Sequence, residues 1–141
     1  MAPHARAHFS SSINELSRML FWIRKHLTDA GIDASAAQKI EVASEEAIVN
    51  AIRHAYRDQE GRIDLFFTSN PQGVEISIVD RGPPFDPLTG APTVDLTNPL
   101  EERKEGGLGI FLMRRCVDDV RYRREEGANV LTLIKHFSRT K

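Results

Sequence analysis

The sequence is short of cysteine, of long apolar runs and of any excess of one charge, and each shortage removes a class of protein. A single cysteine, Cys116, cannot close an internal disulfide, so the framework of a small oxidised domain is excluded. Lying in an apolar helical stretch, it reads as a small buried hydrophobe and not as a nucleophile. No run approaches the roughly 18 apolar residues of a spanning helix, and the first residues lack the apolar core of a signal peptide. A cytoplasmic chain without a membrane partner is expected. The formal net charge of -1 conceals no long block of one sign, which argues against a direct nucleic-acid partner. The local cluster Arg121, Arg123 and Arg124 reads as a solvated strand face. No Ser-His-Asp or paired-cysteine pattern is present, and His4 and His8, spaced as a helix would need for a metal, have no third ligand for zinc.

What is there suits one domain over residues 1–141: 40% of the residues are hydrophobic and 28% charged, the balance of a compact unit of ordinary size. Residues Arg6 to Ser10 read as an edge strand. Ser12-Ile13-Asn14-Glu15 has the spacing of a capping box, and the helix it starts runs to Gly31 with Leu16, Met19, Leu20, Ile23 and Leu27 at helical period. Phe21 and Trp22 widen its apolar surface, as either a partner face or extra core. Asp33 caps a second helix reaching about Tyr56, whose apolar row is mostly alanine and fits close packing on a sheet. Arg62 to Thr68 and Val74 to Asp80 alternate as strands around a Pro-Gly turn. From Arg81 to Gly106 the periodicity dissolves, and a connection this long reads as a functional loop, here a mobile lid at about 86–106. Leu108, Leu112 and Met113 resume a helix up to Val117. Val120 to Arg124, a turn over Glu125 to Asn129, and Val130 to Phe137 complete a last hairpin. The expected fold is α+β, a two-layer sandwich of helices on a mainly antiparallel sheet.

Three segments carry chemistry. Glu46 and Asn50 lie one turn apart on the second helix and project to one side. An amide oxygen suits a magnesium ion that takes its other ligands from phosphate and water, and a neighbouring carboxylate suits a general base; the plain alternative is a solvated polar pair. Asp80 shares a strand face with Val74, Ile76 and Ile78, so alternation turns its carboxylate inward. There the exocyclic amine of adenine would satisfy it, with Gly82 giving backbone access and Phe85 packing nearby; the alternative is an ordinary strand exit. Gly106-Gly107-Leu108-Gly109 opens a helix, where exposed amides favour phosphate, and Arg103 and Lys104 lie just upstream to meet it. The glycines alternatively serve a sharp turn. His54, one turn beyond Asn50, reads as a structural histidine.

These boxes, in this order, resemble the ATP-binding fold shared by histidine kinases, DNA gyrase and MutL, the Bergerat or histidine-kinase-like ATPase fold. Across Ala7 to about Phe137 the chain looks most like the anti-sigma serine kinases of the RsbW and SpoIIAB type. The segments that carry the likeness are Ser44 to Tyr56, Ile78 to Pro87 and Gly106 to Met113. The resemblance implies ATP and Mg2+ as cofactors, Glu46 as catalytic base, Asn50 as magnesium ligand and Asp80 as adenine ligand, with Gly107, Leu108 and Gly109 along the phosphates. It also implies a serine substrate on a STAS-type anti-anti-sigma protein, a sequestered sigma factor and a homodimer. Pro84 departs from the wider superfamily, which often has a glycine there, and removes an amide donor. A different class of function remains beside the kinase: a nucleotide-gated partner-binding switch with little chemistry. The ATPase half of a histidine kinase would require a phospho-acceptor helix pair that does not precede these motifs.

Overall fold

The structure is a computed structural model that describes residues 4–55, 61–89 and 107–136. In chain order its elements are β1 (His4–Ser10), α1 (Leu16–Asp29), α2 (Ala34–Ala55), β2 (Arg62–Asn70), β3 (Gly73–Asp80), α3 (Gly107–Cys116), β4 (Asp119–Glu125) and β5 (Ala128–His136). The strands form one five-stranded sheet in the order β1-β2-β3-β5-β4, antiparallel at every seam. The helices cover one face, giving the α+β sandwich that the patterning implies. No helix among the described residues is long and apolar enough to cross a membrane.

The core follows from the two periods. Met19, Ile23 and Leu27 recur every fourth residue on α1 and are fully buried, and they meet Leu65, Ile76, Ile78 and Leu133 from alternate positions of the strands. On α2 the buried row is largely alanine, with Ala36, Ala43 and Ala47 around Ile40, so the helix axis lies close to the sheet. Ser44, also buried, loses nothing by desolvation because its hydroxyl donates to the Ile40 carbonyl at 2.7 Å. Trp22 packs against the core with its ring centroid 4.3 Å from that of His26. Phe21 instead stands 63% exposed. The two aromatic residues therefore divide the alternatives between them.

Several sequence expectations are corrected. Ser12 caps a short 3-10 turn, Ile13–Glu15, accepting from the Asn14 amide at 3.2 Å. Glu15 turns away to pair with Arg18 at 3.1 Å, so the reciprocal half of the capping box is not made. β1 begins at His4, with His4 and His8 on a strand and not a helix; His4 Nδ1 bonds the Thr68 hydroxyl at 3.1 Å. The last hairpin turns on only Glu126 and Gly127, whose φ angles of 50° and 78° are both positive. Two such residues reverse a chain without help, so Ala128 and Asn129 belong to β5. The end of the second helix at Tyr56, the last strand residue Phe137 and most of the expected lid, residues 90–106, lie outside the described residues.

Register then sets the site. Across the helix-facing side of the sheet Asp80 on β3 lies opposite Asn129 on β5, and Asn129 lies opposite Arg124 on β4. This row of three polar residues closes one end of an otherwise apolar layer.

Candidate functional site

Two cavities meet at α2. The first, a narrow cleft, lies between that helix and the sheet, with Asn50, His54, Ile78, Asp80, Phe85 and Leu131 among its walls. Its walls are largely apolar, and the row at the sheet end contributes Asp80 and Asn129 beside Asn50, His54 and Tyr122. Asp80 is 8% exposed, and its Oδ1 accepts from the Gly82 amide at 3.0 Å and from Asn129 Nδ2 at 2.9 Å. Oδ2 makes no bond among the described residues. Oδ2 is not among the enclosed polar atoms that lack a partner, so it stays open, where a ligand amine can reach it. Phe85 stacks on His54, the ring centroids 4.5 Å apart and the planes 19° from parallel.

The turn from Gly82 to Phe85 is gripped by side chains of the same row. Asn129 Nδ2 also donates to the Pro83 carbonyl at 2.9 Å, its Oδ1 accepts from the Phe85 amide at 3.1 Å, and Arg124 donates to the Gly82 carbonyl at 2.7 Å. Pro83 and Pro84 carry no N–H. The donor that Pro84 removes therefore leaves no amide stranded in this turn.

Gly82 has a more exacting reason to be glycine than approach to a ligand. A Cβ there would lie 2.4 Å from the Ala55 carbonyl oxygen and 2.7 Å from the Ala55 Cα, and neither backbone atom can step aside alone. Gly82→Ala is expected to cost about 1–3 kcal/mol, the range for forced overpacking, and to lower Tm by several degrees in calorimetry. An unchanged Tm would show that the turn relaxes freely.

The second cavity, about 900 Å³ and open to solvent, is lined by Glu46, Asn50, Arg53, Leu108 and Gly109 among others. Asn50 borders both cavities. Glu46 is half-buried, and burial pushes its proton affinity above the ordinary glutamate value; the neighbouring Glu45 pushes the same way while Arg53 opposes. Gly107 and Gly109 fall in the first turn of α3. A Cβ on Gly109 would stand 2.7 Å from Glu46 Oε2, so the missing side chain is what lets this carboxylate rest against the start of α3. The helix offers its unpaired amides and positive dipole end on that side.

Of the residues singled out from sequence, Asp80 and Phe85 thus line the first cavity, Glu46, Leu108 and Gly109 the second, and Asn50 both. Gly82 sits in the turn below Asp80 and Gly107 begins α3. Lys104, Arg103 and Gly106 lie outside the described residues. Asn129 and Arg124 were not picked out as site residues. Reading Glu126-Gly127 as a complete two-residue turn would have placed Asn129 on the last strand, opposite Arg124.

Helices on one face of an antiparallel sheet, with a carboxylate at a strand end and an amide between two cavities, define the class. Residues 9–135 match the histidine kinase-like ATPase domain, and the chain belongs to that family. Within it, the chain is 36% identical over 107 residues to the serine-protein kinase RsbW of Oceanobacillus iheyensis, covering 72% of this chain and 66% of that protein. It is 32% identical over 97 residues to the RsbW of Bacillus mycoides, covering 67% of this chain and 61% of that one. The chain thus spans a little under two thirds of the curated relatives it matches. Among solved structures, the RsbU and RsbW domains of Rv1364c from Mycobacterium tuberculosis share the fold with a TM-score of 0.68 and 20% identity, over 99% of this chain and 34% of that one.

Proposed function

We propose that the chain is an ATP-dependent protein serine kinase and anti-sigma factor, which phosphorylates a STAS-type anti-anti-sigma protein and sequesters a sigma factor. The observation that carries the reading is the placement of Glu46: a carboxylate with raised proton affinity, held against the start of α3 and one helical turn from Asn50. Adenine fits the apolar cleft with its amine on Asp80 Oδ2, and the phosphates run past Asn50 toward Gly107 and Gly109. Glu46 accepts the proton of the substrate serine as its oxygen bonds to the γ-phosphorus, and the bond to the β,γ-bridging oxygen breaks to release ADP. Among the described residues no group of three acidic, histidine or cysteine side chains could cage a metal. The Asn50 amide between the two cavities offers an oxygen that would hold magnesium, an ion that takes most of its ligands from phosphate and water and would neutralise phosphate charge. Exposed Ile13 and Phe21 supply apolar surface for a protein partner or for a second copy in a homodimer.

Labelled ATP and magnesium mixed with the purified chain and a candidate STAS protein should give phosphoserine on the STAS protein. Tight nucleotide binding without any transfer would sink the kinase and leave a nucleotide-gated binding switch.

A further inference from the structure

Asn129 is buried, at 5% exposure, and its carboxamide is fully used. Nδ2 donates to Asp80 Oδ1 at 2.9 Å and to the Pro83 carbonyl at 2.9 Å, while Oδ1 accepts from the Phe85 amide at 3.1 Å and the Tyr122 hydroxyl at 2.6 Å. The chemistry of these partners permits one orientation only. Two are acceptors without a proton to give and two are donors, so a flipped amide would set a carbonyl against a carboxylate and an NH2 against an N–H. With two donors and two acceptor sites occupied, the side chain has nothing left for a ligand.

We propose that Asn129 is a positioning residue for base selection: it locks the Asp80 carboxylate in rotation so that Oδ2, and not Oδ1, is presented to the cleft. A carboxylate on a strand end is otherwise free to turn about its last bond. Two bonds to Oδ1, from the Gly82 amide and from Asn129, set the plane, and the second comes from a side chain whose other three bonds prevent it from following. Tyr122 is the outer member, since its hydroxyl pins Asn129 Oδ1 and its ring lines the same cleft. A fixed acceptor distinguishes a base with an amine at that point from one with a carbonyl, because the carbonyl brings two lone-pair oxygens together. The inference rests on the reading that the cleft receives adenine.

The test measures dissociation constants of the whole chain for ATP and for ITP, whose base carries a carbonyl in place of the amine. Wild type is expected to favour ATP by roughly tenfold or more, the scale of one hydrogen bond to a charged group. Asn129→Asp keeps both acceptor bonds but turns the donor facing Asp80 into a repelling oxygen, and should bring the ATP-to-ITP ratio close to one. Tyr122→Phe, which preserves the ring and should fold if Asn129→Asp does not, loosens the amide and should lower the ratio about threefold. A residue that served only folding would weaken both nucleotides alike and leave the ratio where it was; an unchanged ratio in the folded variants overturns the proposal. Asp80→Ala separates the two readings. If it abolishes discrimination while the Asn129 and Tyr122 variants keep it, adenine recognition stands and the positioning role falls; if wild type shows no discrimination, both fall.

Discussion

Glu46→Gln should lower the rate of phosphoryl transfer by about 10²- to 10⁴-fold, the usual contribution of a positioned general base, while leaving the dissociation constant for ATP nearly unchanged. Glutamine preserves the shape that rests against Gly109 and removes only the proton acceptor. Single-turnover transfer and equilibrium nucleotide binding, measured side by side, check the split. A variant that transfers at the wild-type rate would remove Glu46 from the chemistry. The same substitution should raise Tm slightly at neutral pH. Desolvation and Glu45 lift the folded proton affinity of Glu46 above the ordinary value, so folding favours its protonated form. The penalty on the ionised carboxylate is absent below the ordinary glutamate range, grows as pH rises from there through the folded value and is complete above it. Wild-type activity should correspondingly fade on the acid side at a higher pH than an unperturbed glutamate would give.

Asn50→Ala should weaken binding of ATP in the presence of magnesium by at least about 10- to 100-fold, the loss that even outer partners of a metal cause, with a much smaller effect when EDTA removes the metal. Because Asn50 borders both cavities, the comparison with and without metal is needed to tell ion holding from contact with the base. Equal losses under both conditions would assign the amide to the nucleotide itself. Asn50→Asp is a useful companion. It keeps an oxygen ligand but adds charge beside Glu46, and should recover part of the metal dependence.

The sandwich was legible because its signals are local. Met19, Ile23 and Leu27 announce a helix face through spacing alone, and the parity of Ile76, Ile78 and Asp80 turns the carboxylate into the same layer as the leucines of β5. The contacts that shape the site are not local. Gly82 must be small because of the Ala55 backbone, and Gly109 leaves the room that the movable end of Glu46 occupies; a glycine in a sequence records that space is used without naming the neighbour that uses it. Asn129 was hidden for another reason. Beside Gly127 its residue type suits a turn as well as a strand, and only the positive φ of both Glu126 and Gly127 decides between them. Phe21 and Trp22 show the limit of periodicity on α1: adjacent aromatic residues straddle the boundary of the apolar stripe, and packing against His26 settles which one enters.

The seam between β3 and β5 also bears on how the molecule folds. The hairpins β2-β3 and β4-β5 join neighbours in sequence, but the bond from Asn129 to Asp80 spans 49 residues, so its loop closure is entropically late. A nucleotide seated on Asp80 would therefore find its receptor only after that seam has zipped. Ligand should then act almost wholly on the unfolding limb of the kinetics, slowing escape from the native state and leaving the rate of reaching it untouched. In a cell, occupancy by nucleotide would govern how long each folded molecule lasts.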